Sequence, residues 1–317
     1  MRIKLSINSL VVVLLLVSCL ISACGDMTVT SSSTGANIAA TAPTVKLKVV
    51  ATTTQIADFI KNVGGNRVDV SGILKADVDA HDYEPTADDS KALSTAQAVF
   101  RNGVGLDDWL DKTIKSSGTK APVTTVSEGI TFLKGSNPAE GEFDPHIWFN
   151  TNNAKKMVDN IATGLSKIDA TGKSVYEANA KTYNAQIDTL TKEMQTLFSS
   201  VPAERLKLVT NHDAFGYMAD QFKLNIVGSI IPSFDSTAEP SAQELKELVA
   251  KIKSEKVPAI FTETSINPKL AEQIAKEAGV KIYANLYGDS LAEVGSDGDT
   301  YLKMMLSNAK NIVNGLK

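Results

Sequence analysis

Three histidines are the whole imidazole complement of this chain, and each stands in a segment suited to presenting it. His81 lies in Ala80-His81-Asp82-Tyr83-Glu84-Pro85, His146 in Phe143-Asp144-Pro145-His146-Ile147-Trp148, and His212 in Thr210-Asn211-His212-Asp213-Ala214-Phe215. They are 65 and 66 residues apart, so no helix turn or hairpin joins any two of them. Imidazole is the commonest metal ligand among side chains. A metal-bound ring keeps its second N–H for a carboxylate, and Asp82, Glu84, Asp144 and Asp213 stand beside the three rings. Most lone histidines are surface or hydrogen-bonded residues, and an aspartate at a helix start, as expected for Asp213, normally caps it. Here all three histidines fall in loops next to predicted strands or helix starts, which favours one shared site.

The elements around them follow from hydrophobic period. Strand patterns occupy residues 45–52, 68–74, 98–100 and 122–126, alternating with helix patterns at 55–60, 87–95 and 106–115. Residues 152–168 and 172–198 are helical, the second with Tyr176, Tyr183, Ile187, Leu190, Met194, Leu197 and Phe198 near one face. A second alternation follows, with strands at 206–210, 225–230, 259–261 and 281–284 and helices at 214–222, 242–255, 268–278 and 300–314. The fold class is therefore α/β, as two lobes of parallel sheet and helix joined by one long rigid helix. In open parallel sheets ligands bind beyond the carboxyl ends of strands. That rule places His81 and His212 suitably, and it adds Asp289, after the strand at 281–284, as a fourth candidate ligand in the interlobe cleft. Glu263, at the end of the strand near 259–261, is a candidate partner of a ligand. Trp109 and Trp148 read as core or cleft wall. Gly103 and Gly105 read as turn residues, because no phosphate-loop lysine follows them.

The 317 residues, with 21% charged and 43% hydrophobic side chains, suit a globular chain of two domains. A net charge of −4 gives no basic face for nucleic acid. The chain opens on Met1-Arg2-Ile3-Lys4, an apolar run at 10–21, and Leu20-Ile21-Ser22-Ala23-Cys24. This reads as a lipoprotein signal at 1–23 with Cys24 as the acylated first residue of the mature chain. The Ser-, Thr- and Ala-rich stretch at 24–45 reads as a flexible tether. Lobes are expected at 46–168 and 201–317, with the connecting helix at 169–200. Only Cys19 and Cys24 are present, so the mature protein has no disulfide and no thiolate site.

An ordered set of segments resembles the cluster A-I solute-binding family, the metal-binding lipoproteins of zinc and manganese ABC transporters. It comprises His81-Asp82-Tyr83-Glu84-Pro85, Asn102-Gly103-Val104-Gly105-Leu106-Asp107-Asp108-Trp109-Leu110, Asp144-Pro145-His146-Ile147-Trp148 and His212-Asp213-Ala214-Phe215-Gly216-Tyr217. Ala238-Glu239-Pro240-Ser241, Phe261-Thr262-Glu263-Thr264 and Tyr287-Gly288-Asp289-Ser290-Leu291 complete it across residues 46–317. The resemblance implies two lobes bridged by a rigid helix, with metal held between them by His81, His146, His212 and Asp289. It implies a binding protein rather than an enzyme, anchored outside the cytoplasm, monomeric, and partnered by an ABC permease. Adhesion to host tissue, sometimes attributed to such lipoproteins, has no residue pattern in its favour here.

Three imidazoles and one carboxylate resemble the zinc-type set, since manganese members of the family carry a glutamate where His212 stands. Manganese or iron remains open, because Asp289 could bind through both oxygens. The stretch 135–142, where many zinc members carry a long His-rich loop, is short and has no histidine. The alternative function is a secreted zinc hydrolase with three histidine ligands and Glu263 as base. No H-E-x-x-H helix and no nucleophile elbow support it. A binder of chelated metal would call for arginine or more aromatic residues in the cleft.

Overall fold

In a computed structural model the described residues are 46–135 and 143–317. The signal, the tether, Cys24 and most of the stretch at 135–142 lie outside them. Strand β1 (Leu47–Ala51) pairs in parallel with β2 (Val68–Gly72) and with β3 (Ala98–Arg101), and β3 pairs with β4 (Val123–Thr125), giving the order β2-β1-β3-β4. Helix α1 (Thr54–Gly64) starts on a Thr53 cap and stops at Gly65, whose φ is 53°. Helix α2 (Ala87–Thr95) starts on a capping box in which Thr86 and Asp89 satisfy each other's backbone.

Helix α3 begins at Trp109 and runs to Ser117, three residues later than its apolar period suggests. The preceding turn takes positive φ at Gly103, Val104 and Gly105. Asp107 holds that turn by accepting the N–H groups of Asn102 and Gly103 at 2.6 and 2.9 Å. Gly103 and Gly105 are thus turn residues, as expected. Trp148 is fully buried, and Trp109 is half-buried against Tyr83 at 5.2 Å between ring centroids.

Helices α4 (Thr151–Ile168) and α5 (Lys173–Ser199) pack against each other and against α1. The long helix α5 buries Tyr176, Tyr183, Ile187, Leu190, Met194 and Phe198, the face expected from its period except for the half-buried Leu197. It also packs on α9 (Tyr301–Leu316) of the second lobe. Asp58 ties these helices together, accepting from Tyr183 Oη at 2.9 Å and from the Tyr301 N–H at 3.1 Å. A single apolar cluster runs from Leu47 through α1, α4 and α5 to Leu316.

The second lobe contains β5 (Lys207–His212), α6 (Gly216–Phe222), β6 (Asn225–Ile231), α7 (Ala242–Glu255), β7 (Ala259–Glu263), α8 (Lys269–Ala278) and β8 (Lys281–Leu286). Its strands pair as two parallel ladders, β5 with β6 and β7 with β8. Strands β5 and β7 lie side by side. At their carboxyl ends a side chain replaces the ladder: Asn211 Oδ1 accepts the Glu263 N–H at 2.8 Å. His212 is the last residue of β5, whereas its pattern suggested a loop position after the strand. Among the described residues no helix is long and apolar enough to cross a membrane.

Candidate metal centre

Four segments far apart in sequence converge on one point. His81 sits in the loop between β2 and α2, where its N–H donates to Asp79 Oδ1 at 2.9 Å. His146 opens the short 3-10 turn Ile147–Phe149, with Asp144 Oδ1 accepting its backbone N–H at 2.9 Å. His212 ends β5, and Asp289 lies in the loop after β8. One donor atom from each of these four residues lies within 4.8 Å of all the others.

The finer geometry is that of a coordination shell. His146 Nε2 is 3.3 Å from His81 Nε2 and 3.3 Å from His212 Nε2. Asp289 Oδ1 is 3.3 Å from His146 Nε2, and Oδ2 is 3.6 and 3.7 Å from His81 and His212 Nε2. Both carboxylate oxygens of Asp289 are buried and have no hydrogen-bond partner. A buried unpaired carboxylate is costly unless a cation meets it. Four donors about 2.0–2.2 Å from a common centre in a tetrahedron are about 3.3–3.6 Å from one another, so these residues suit a divalent transition-metal ion.

Two carboxylates fix the rings. His146 Nδ1–H donates to Asp144 Oδ1 at 2.7 Å, and His212 Nδ1–H donates to Glu263 Oε1 at 2.9 Å. Each bond leaves Nε2 as the donor turned into the cluster. Burial disfavours the charged His146 ring, but Asp144 and Asp289 outweigh it and push its pKa up to about 10. Burial likewise opposes a charge on His212, and Glu263 and Asp289 overcome it, raising that group also. His81 has no such carboxylate on its ring; burial lowers it, with only partial compensation from Asp289. Burial opposes ionisation of Asp289, yet the three imidazoles hold its carboxyl below the ordinary range.

A proton on His146 and a divalent ion therefore compete for the same negative charge. With His146 and His212 both raised, metal uptake should displace at least one proton near neutral pH, so the apparent dissociation constant should rise at least about tenfold for each unit fall in pH. Calorimetry in buffers of different ionisation enthalpy checks this, and a pH-independent affinity would contradict it.

Of the carboxylates expected beside the candidate ligands, Asp144 and Glu263 make the contacts described. Among the described residues Asp213 makes no hydrogen bond to a ring nitrogen, and its backbone N–H goes to the Ser233 carbonyl. Burial raises its carboxyl. Nor does Asp213 cap α6, whose first turn follows Phe215. Asp82 and Glu84 are exposed. The sequence reading missed three residues that hold the site from a distance. Gln55 Nε2 donates to the Asp289 carbonyl at 3.0 Å, Asn308 exchanges two hydrogen bonds with the Tyr287 backbone, and Asn211 bridges β5 to Glu263. Their signal is a polar side chain inside an apolar helix stripe or strand.

The family profile described as zinc-uptake complex component A, periplasmic (ZnuA), matches residues 49–315. The chain belongs to this family. The ZnuA family comprises solute-binding components of transporters, not enzymes. The manganese ABC transporter substrate-binding lipoprotein PsaA of Streptococcus mitis is 35% identical over 279 residues, 86% of this chain and 89% of that one. The solved structure of the periplasmic zinc binding protein TroA from Treponema pallidum matches with a TM-score of 0.80 at 31% identity, covering 86% of this chain and 99% of that one. The manganese-bound periplasmic metal binding protein from Candidatus Liberibacter asiaticus matches with a TM-score of 0.78 at 26% identity, covering 86% and 100%. The two-lobed α/β architecture expected from sequence is thus shared with these solved periplasmic metal-binding proteins.

Proposed function

We propose that this chain is the extracytoplasmic binding component of an ABC transporter, which captures a divalent transition metal, zinc foremost, and hands it to the membrane permease. The observation that carries the reading is the buried, unpartnered Asp289 carboxylate facing three imidazole Nε2 atoms at 3.3–3.7 Å. His81, His146, His212 and Asp289 are the proposed ligands, with Asp144 and Glu263 orienting two of the rings. Four protein donors suit capture, since a catalytic zinc keeps a position open for water. Glu263, the base that a hydrolase would need, is already bonded to His212. Cys24 is the proposed lipid attachment point and 24–45 the tether of a monomer. The lobes are proposed at 46–168 and 201–317, with 169–200 connecting them.

Zinc is favoured by the three nitrogen donors. Manganese is the second reading, with iron beside it. It is favoured by the two free oxygens of Asp289, which can both bind a larger ion, and by the manganese named for the Streptococcus mitis relative. Native mass spectrometry after loading under equal zinc, manganese and iron tests both readings. One zinc per chain is expected, and manganese retained against equimolar zinc would reverse the assignment. In the same assay His212→Glu should raise the manganese share, because an oxygen donor replaces a nitrogen. An unchanged ratio would mean that spacing outweighs donor type.

A further inference from the structure

Asp289 belongs to the second lobe, but its backbone is held by the first. Gln55, in the first turn of α1, is fully buried and donates Nε2–H to the Asp289 carbonyl at 3.0 Å across 234 residues of sequence. Its neighbour Thr54 accepts the Leu291 N–H at 2.7 Å and donates to Gln55 Oε1 at 3.2 Å, which fixes the amide orientation. The Asp77 N–H adds a third bond, to the Leu291 carbonyl at 3.2 Å. On its own lobe the loop is tied at Tyr287 by Asn308. Between the two ties the carboxylate itself has no hydrogen-bond partner, so the backbone ties are what bring it to the three imidazoles 3.3–3.7 Å away.

We infer that Gln55 is a positioning residue for metal retention. Through the Asp289 carbonyl it keeps the carboxylate within reach of the three imidazoles, and it couples the relative placement of the lobes to the completeness of the shell. The ion would leave when this cross-lobe clamp lets go, before any larger separation of the lobes. The inference rests on the proposed ligand role of Asp289. A burial-matched residue without a donor, as in Gln55→Leu, keeps the volume and removes the clamp. Loss of one buried hydrogen bond typically changes an equilibrium about tenfold.

The test is stopped-flow release of zinc to an excess chelator, with the visible spectrum of the cobalt-loaded protein as a report on carboxylate coordination. Gln55→Leu should release zinc about tenfold faster and shift the cobalt bands, while the melting temperature of the ion-free protein changes little. Thr54→Val, which removes the second clamp atom, should act in the same direction. Unchanged release and an unchanged cobalt spectrum in both variants would overturn the inference. So would a fall in ion-free melting temperature as large as that of the loaded form, since that marks a purely structural role. Wild-type protein that takes up no zinc or cobalt would overturn the proposed function, and the inference with it.

Discussion

Replacing His146 by alanine should weaken zinc binding roughly 10²–10³-fold and also destabilise the ion-free protein. A four-ligand structural zinc site contributes on the order of 10–16 kcal/mol, so one ligand in four accounts for roughly 2.5–4 kcal/mol. Among the proposed ligands His146 has most to lose, because its Nε2 lies 3.3 Å from both other imidazole nitrogens and from Asp289 Oδ1. The fold suffers for a separate reason. Asp144 is buried and holds the His146 ring at 2.7 Å, and removing one partner of a buried ion pair costs about 3–5 kcal/mol. Adding Asp144→Asn to His146→Ala should therefore recover part of the stability without recovering the affinity. Chelator competition and thermal unfolding of the four proteins measure the two effects apart. Affinity within tenfold of wild type in His146→Ala would remove it from the shell.

Replacing Gly288 by alanine, one methyl group away from any ligand atom, should cost about 10–100-fold in zinc affinity, the range for losing a carboxylate that orients a ligand. A Cβ built on Gly288 falls 2.0 Å from Glu263 Oε2 and 3.1 Å from its carboxyl carbon. The obstructing atom is the end of a flexible side chain, so the backbone need not break. The carboxylate must swing, and its Oε1 is what holds His212 Nδ1 at 2.9 Å. The His212 ring then loses both its orientation and the bond that keeps its proton off Nε2. Gly288→Ala and Glu263→Gln should share the same defect, and the double variant should be little worse than either. Additive losses, measured by competition calorimetry, would show that the glycine serves the loop and not Glu263.

Much of this was legible in the residues, and the limits have physical causes. The bounds of α2 and α7 follow the sequence because Thr86 with Asp89, and Ser241 with Glu244, write a capping box at each start. His81 and Asp289 were readable because a loop beyond a parallel strand is where such a fold gathers its chemistry, whereas His212 ends its strand and His146 precedes a helix. Asp213 was misread because adjacency in sequence suggests adjacency in space. The strand ends at His212 and the chain bends at Asp213, whose N–H goes to the Ser233 carbonyl, while Glu263, 51 residues on, meets the His212 ring. Gln55, Asn308 and Asn211 were invisible for a related reason. Their partners are mostly backbone groups of distant segments, and backbone atoms leave no mark in a sequence.

The apolar cluster that runs unbroken from Leu47 to Leu316 also bears on how such a carrier would be sorted at the membrane. A molecule whose two halves share one interior cannot open like a book without exposing that interior, which disfavours wide closure as the sign of a full site. Laden and unladen copies would then present nearly the same silhouette. The permease would have to tell them apart by a handful of atoms at the cleft mouth, and empty copies would queue for the same dock as full ones. Traffic through such a system would depend on the ratio of carriers to cargo as much as on the tightness of any one site.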